Sequence, residues 1–357
     1  MEHRAATGTV SKGTVANVGW RASSLRGYLP ALPLLALLIA LPFLPPFSHR
    51  EDLIRWLIAA MLIAAQAMCF DLSSGFINVA NFGFASFVGL GAYTSALLVV
   101  RLGMSPWVAM FFGMIPAGLV GFLTGLLTLR HRGLFAAMVA WFVGIALMGL
   151  ARNLVDLTRG SLGLTVPFLF ESTSNRPYYF VILAMTVAIF VALTWLTRSH
   201  IGLAFRTIGQ NMEAARASGI NPTRYRVLNF TISCALAGWL GGFYAHYYGI
   251  LTPDVMGTPR SIQVLAAVYI GGRGSLWGGA AAAFPLIFLM NWLRSTLSNL
   301  PGLDLILYGL LLILVMIHYP GGIAQAARWA AERIRRWVKG GGQAAAGGPG
   351  IAAGSDA

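Results

Sequence analysis

The 357-residue chain is 57% hydrophobic and only 10% charged, where soluble domains carry about 25% charged residues, so it lacks the polar surface that a water-solvated fold of this length requires. Mean hydropathy is +0.72, and long apolar runs recur without period-two alternation, which excludes a transmembrane β-barrel and leaves an all-α, polytopic transmembrane helical bundle. The net charge of +14 sits in short stretches between those runs, with no basic patch of interleaved aromatics, so it speaks for membrane orientation and against nucleic acid.

Residues 1–28 read as a tail carrying four basic residues. The first apolar run, 29–47, holds Pro30, Pro33, Pro42, Pro45 and Pro46 and is expected to be kinked or broken at both ends. It is too long and too proline-rich for a cleavable signal. Further runs cover 53–70, 82–100, 106–128, 134–151, 178–197, 227–250, 260–272, 276–294 and 303–318, which makes about ten spans, with eight or nine as alternatives. The 260–272 run has 13 residues, or roughly 20 Å of helix, short of a hydrocarbon core, and it reads as a half-helix buried among its neighbours. Residues 29–319 thus form one transmembrane domain, interrupted by a polar loop at 198–226. In the terminal segment 320–357, Arg328–Val338 reads as a basic amphipathic helix on the inner leaflet, and the Gly/Ala-rich tail beyond Gly340 as disordered.

Charge tests the span count independently. With the N-terminus inside and an even number of spans, residues 1–28, 129–133, 198–226, Arg273 and 319–357 face the cytoplasm and hold 17 of the 25 basic residues. Glu51, Asp52, Asp156, Glu171, Asp254 and Asp304 then fall outside. An odd count would put Arg328, Arg333, Arg335, Arg336 and Lys339 on the wrong face.

The chain lacks the residues of an intramembrane enzyme. There is no His-Glu-x-x-His, no Gly-x-Ser-x-Gly and no Gly-x-x-x-x-Gly-Lys-Ser/Thr loop, so neither a cofactor, a metal nor a bound nucleotide is expected. Cys69 and Cys234 lie in apolar runs and read as core packing. His246 and His318 read as interfacial or packing histidines. Asp71, the acid nearest a membrane interior, is open to two readings: a functional intramembrane carboxylate, or a cap for the break at Ser73-Ser74-Gly75. Without a proton relay or a nucleotide loop, energy for transport would have to come from another subunit.

Two glycine-rich stretches and one loop stand out. Between Gly75 and Tyr93, Asn78 and Asn81 lie three residues apart and are followed by Gly83, Gly89 and Gly91; amides at membrane depth should face a partner helix or a wet cavity, while the glycines also suit tight helix packing. From Tyr269 to Gly279, Gly271, Gly272 and Gly274 permit a sharp reversal between two spans. In the 198–226 loop, Asn211 can cap a short helix from Met212 to Ser218, with Glu213 near its positive end, Ala214 and Ala215 giving a small-residue face, and Gly219 supplying a left-handed stop. Asn221-Pro222 then reads as the cap and first residue of the next span. Such a helix is either a solvated connector or a docking element.

Glu213-Ala214-Ala215-x-x-x-Gly219 resembles the EAA loop with which permeases of ATP-binding-cassette (ABC) importers dock on their ATPase. The surrounding 202–230 run resembles the M-type permeases of branched-chain amino acid importers, as do Ala237-Gly238 through His246, Thr252-Pro253-Asp254, Gly271-Gly272-x-Gly274-Ser275-Leu-Trp277-Gly278, Gly89-x-Gly91-Ala92-Tyr93 and Thr158-x-Gly160-Ser161-x-Gly163-Leu164. The family's Gln-x-Ser-x-Gly-His run reads Val79 to Phe84 here, its usual acid after Ser-Ile is Gln263, and Arg273 replaces an apolar residue. Related permeases for urea and short-chain amides share nearly all these motifs. The resemblance implies a bacterial inner-membrane subunit with both termini cytoplasmic, lying in membrane lipid beside a second permease subunit. It further implies two cytoplasmic ATPase subunits and a periplasmic or lipid-anchored binding protein. The glycine stretches would then line the subunit interface and pathway. The rival classes are a secondary carrier or channel, which should show coupling acids or inverted repeats, and a membrane scaffold, which has no use for the 211–222 segment.

Overall fold

The structure, a computed structural model, describes residues 38–43, 50–131, 133–171, 174–296, 302–318 and 322. The N-terminal tail, most of the first apolar run and nearly all of 320–357 lie outside the described residues, with the basic helix and tail expected there. Leu41–Phe43 form a 3-10 turn in an N-terminal unit that ends at His49.

From residue 50 onward each apolar run is helical. In chain order the helices are α1 (Glu51–Ser74), α2 (Phe84–Leu102), α3 (Pro106–Phe112) and α4 (Met114–Thr128), α5 (Leu134–Asn153), α6 (Arg176–Arg198), α7 (His200–Gln210), α8 (Met212–Ala217), α9 (Pro222–Tyr248), α10 (Thr258–Gly271), α11 (Trp277–Thr296) and α12 (Leu303–His318). Among the described residues, six are long and apolar enough to cross a membrane, counting α3–α4 as one: α1, α2, α3–α4, α5, α6 and α9. α10 has 14 residues and reaches about 21 Å, the short helix expected there. The 106–128 run is bent at Gly113, whose Cα side lies against the Gly91 and Gly238 carbonyls, so that no side chain fits between.

Sequence sorts these helices into core and rim. α1 is buried over most of its length, whereas α5 is largely exposed, with Leu134, Phe135 and Phe142 outward. An apolar face of this kind suits hydrocarbon or another subunit. α9 runs through the centre against α2 and α4. Its approach is set by glycine: a Cβ on Gly91 would meet the backbone of Gly238. Polar groups inside the bundle are bonded across helices, as low dielectric demands. Ser86 Oγ donates to the Gly144 carbonyl at 2.9 Å, Ser233 Oγ to Cys69 at 2.7 Å and Asn229 Nδ2 to Leu72 at 2.7 Å.

The loops gather at two ends. At one end Glu51 accepts from Asn175 at 2.9 Å, Arg152 pairs with Asp254 at 2.9 Å and Arg101 donates to the Asp156 carbonyl at 2.8 Å. The segment 154–171 folds back there as a helical turn, Val155–Thr158, and a two-residue strand β1, Leu164–Thr165. β1 pairs antiparallel with β2, Ile250–Leu251, placing Leu164 opposite Leu251. At the other end lie 75–83, 129–133, 199–221 and 272–276, joined by the contacts described next. Among the described residues, the basic stretches 129–131 and 198–226 and Arg273 lie at this end, and the termini that dominate the charge count lie outside them.

Candidate functional site

The six-residue helix α8 is held by its ends. Asn211 Oδ1 accepts from the backbone N–H of Glu213 at 3.0 Å and of Ala214 at 3.1 Å. At the far end Gly219 N–H donates to Arg216 and Ile220 N–H to Ala215, both at 3.0 Å, with Gly219 at φ +79°. This is a Schellman stop, which needs the left-handed residue that glycine supplies without strain. Two residues on, Asn221 Oδ1 accepts from Thr223 at 3.1 Å and Arg224 at 3.4 Å, with Pro222 opening α9. Ala215 is buried against the protein, while Glu213, Ala214 and Ala217 face outward. Glu213 pairs with Arg216 at 3.5 Å, but both side chains are more than half exposed, so the pair contributes only about 0.3–0.5 kcal/mol.

The second glycine stretch forms the reversal between α10 and α11. A Cβ on Gly271 would meet the Gly278 backbone, so the two helices touch there. Gly272 and Gly274 take φ of +97° and +74°. Asp71, only 2% exposed near the end of α1, completes this turn: one carboxylate oxygen accepts from Gly274 N–H at 2.8 Å and the other from Leu276 N–H at 3.0 Å. Of its two readings, capping is the one the geometry supports, although the turn it caps is not its own break at Ser73-Ser74-Gly75. Hydrogen bonds to a charged group contribute about 1.5–3 kcal/mol each, enough to hold a glycine-rich turn in one form.

Asn78 and Asn81, expected to face a partner helix or a wet cavity, differ in their surroundings. The two lie in the irregular segment 75–83, and spacing of three residues aligns side chains only on a helix. Asn78 sits at φ +60° and is exposed, with Arg273 Nη1 donating to its Oδ1 at 3.4 Å. Asn81 is fully buried: its Oδ1 accepts from Gly83 N–H at 3.1 Å and its Nδ2 lies 3.7 Å from Cys234 Sγ. Gly83 rests on the Ala140 carbonyl of α5, where no Cβ fits. His246 is a buried packing residue; Nδ1 lies 2.8 Å from the Pro167 carbonyl and Nε2 lies 2.9 Å from Ser95 Oγ. A carbonyl only accepts, so Nδ1 carries the hydrogen, and in the neutral ring Nε2 accepts from Ser95. Among the described residues no His, Cys, Asp and Glu cluster could hold a metal ion.

The family model for the branched-chain amino acid transport system permease component matches residues 53–316, most of the chain and all of this geometry. The chain belongs to this permease family. It is 27% identical over 334 residues to the high-affinity branched-chain amino acid transport system permease protein LivM of Salmonella typhimurium, covering 86% of this chain and 77% of LivM. It is 23% identical to the BraD permease of Pseudomonas aeruginosa, named for the same transport, over 78% of this chain and 96% of BraD. The autoinducer 2 import system permease protein LsrC of Yersinia pestis is also similar, with 26% identity over 70% of this chain and 68% of LsrC. The protein is a multi-pass membrane permease.

Three side chains that tie this end of the permease together carried no sequence signal of their role. Arg226, counted only as a positive charge, is 2% exposed and its Nη2 donates to the carbonyls of Thr128 at 2.9 Å and His131 at 3.2 Å, closing the C-terminal end of α4. Asn229, one turn on, reaches Leu72 on α1. Arg206 lies on α7, a helix inside what reads as a polar loop, and its guanidinium stacks over Phe76 at 5.2 Å. For α7 a signal did exist: Ile201, Ala204, Phe205 and Ile208 repeat at helical spacing, and the last three are buried.

Proposed function

We propose that this permease is a membrane subunit of an ABC importer for branched-chain or other hydrophobic amino acids, and that α8 is its docking point for a separate ATPase subunit. The observation that carries the reading is α8 itself: a helix too short to stand alone in water, stopped at both ends, joined through Asn221 to the central helix α9, and offering the small outward residues Ala214 and Ala217 beside Glu213. A segment built this way transmits motion and is wasted on a connector. The grouping of basic loops at the α8 end supports placing that end, and both termini, in the cytoplasm. The substrate class is drawn from LivM and BraD, whose names state it. On this reading a second permease subunit covers part of the apolar rim, a binding protein delivers substrate at the 154–171 end, and Asn81, Gly83, Gly271, Gly272 and Gly274 shape the helix approaches beside the pathway, with Asn78 at its mouth.

The test is reconstitution of the chain with candidate second permease, ATPase and binding-protein subunits, reading ATP hydrolysis and uptake against a panel of aliphatic amino acids, urea and short-chain amides. Stimulation by aliphatic amino acids supports the proposal. Uptake by this chain without an ATPase would overturn it in favour of a carrier, and stimulation by urea or amides alone would replace the substrate.

A further inference from the structure

Beside α8 the protein has a cavity of about 330 Å³, lined by Ser74 from the end of α1, Phe76 and Asn78 from the segment after it, Arg206 and Gln210 from α7, and Arg273 from the α10–α11 turn. We propose that it is a binding site for a phosphate-type oxyanion, either the headgroup of an anionic phospholipid or free phosphate. The proposal rests on the reading that this end faces the cytoplasm only for the source of the ligand; the site's chemistry does not depend on it.

Three observations converge. First, the cavity holds two guanidinium groups from elements far apart in sequence, and among the described residues neither is in an ion pair. Asp71, whose charge acts on Arg273, already receives Gly274 and Leu276 N–H through its two oxygens. Arg273 has one long contact, 3.4 Å to Asn78 Oδ1. Second, each guanidinium lies on an aromatic ring, Arg206 over Phe76 at 5.2 Å and Arg273 over Tyr269 at 5.0 Å. Stacking fixes the plane of the group and leaves its N–H edge to bind, the arrangement that suits the planar fork of arginine to phosphate oxygens. Third, Ser74, Asn78 and Gln210 line the same cavity and give it a polar wall. A phosphate offers oxygens to both arginines together, and a volume of about 330 Å³ has room for the anion with some of its hydration.

Position gives the site a consequence. Gln210 is followed directly by Asn211, the cap of α8, and Arg273 lies in the turn that Asp71 secures. An oxyanion bound by both arginines would link the helix before the docking element to the α10–α11 reversal, so its occupancy should bias how those two parts move together.

The experiment uses the purified permease with its partner subunits. Inorganic phosphate is titrated by ³¹P NMR line broadening, and phosphatidylglycerol binding is read by native mass spectrometry from phosphatidylcholine nanodiscs doped with it. Wild type should bind at least one probe, more weakly as ionic strength rises. Arg206→Gln/Arg273→Gln should weaken that binding about tenfold or more, or 1.4 kcal/mol. Arg206→Lys/Arg273→Lys, which keeps the charge, should recover part of it and shows that loss is not misfolding. Preference for phosphatidylglycerol assigns the site to lipid, and preference for phosphate to a solute. Equal binding by wild type and the double Gln variant overturns the proposal, and so does binding that vanishes when the ATPase is present, because a partner carboxylate would then fill the cavity. Neither outcome requires transport, so a negative result leaves the importer assignment standing.

Discussion

Replacing Gly219 separates a conformational role from a contact role at α8. Its φ is +79° and an added Cβ would meet nothing within 4 Å, so substitution costs backbone strain alone. For an L-residue in the left-handed region that cost is about 1–2 kcal/mol, with β-branched residues at the upper end. The chain can escape the strain only by giving up the two stop bonds to Arg216 and Ala215, which contribute about 0.5–1.5 kcal/mol each. Strain and bonds are therefore of similar size, and Gly219→Val should populate a form in which the last turn of α8 frays and Asn221 no longer lines up under α9. Asn tolerates the left-handed region, so Gly219→Asn should retain most function and Gly219→Ala should fall between. The assay is uptake and substrate-stimulated ATP hydrolysis in the reconstituted assembly, with membrane insertion as the control. The order Gly, Asn, Ala, Val is expected. If Asn were as damaging as Val, bare space against a partner would be the requirement, and if Val kept full coupled activity, α8 would have no part in coupling.

Asp71→Ala leaves two N–H groups without partners, at about 1–3 kcal/mol each, and should lower the unfolding temperature of the solubilised permease more than Asp71→Asn, which retains one acceptor. Glu213→Lys places a cation at the positive end of α8 for a local cost of about 0.3–1 kcal/mol; uptake should fall without loss of insertion, because the side chain is outward. Asn81→Leu should impair uptake more than Asn78→Leu, since only Asn81 is buried with its oxygen bonded to Gly83; equal effects would show that burial is not what matters. A cysteine at position 165 should react with an impermeant reagent in intact cells and one at 210 should not, both positions being exposed; the reverse pattern would invert the topology.

What was legible in the sequence was local. Asn211, Gly219 and Asn221-Pro222 act on groups within a few residues, so cap and stop could be read from spacing alone. The short α10 was legible from its length. The polar segment 198–226 hid α7 because its charges drew attention from the apolar stripe at 201, 204, 205 and 208. Asp71 was recognised as an acid that needed a reason, but its partners lie 203 and 205 residues away, and no local pattern points across that distance. Asn78 and Asn81 have different surroundings for a related cause: the backbone of their segment turns left-handed at Asn78, which spacing alone does not show.

Those distant contacts bear on how a push at α8 would spread. α9 begins at Asn221 and within its first turns carries Arg226, bonded to the end of α4, and Asn229, bonded to the end of α1. α1 in turn holds the α10–α11 reversal through Asp71. The bonds from Arg226 to Thr128, from Asn229 to Leu72 and from Leu276 to Asp71 are buried, so breaking any of them would strand a polar group. They connect α9, α4, α1 and the α10–α11 turn at the α8 end. The opposite end has buried ties of its own: His246 of α9 joins Ser95 of α2 to the Pro167 carbonyl and Tyr93 donates to the Leu251 carbonyl, while the exposed Arg152–Asp254 pair adds only about 0.2–1 kcal/mol. Because α9 takes part in the buried bonds at both ends, through Arg226 and Asn229 at one and His246 at the other, it is the element through which the two ends are linked.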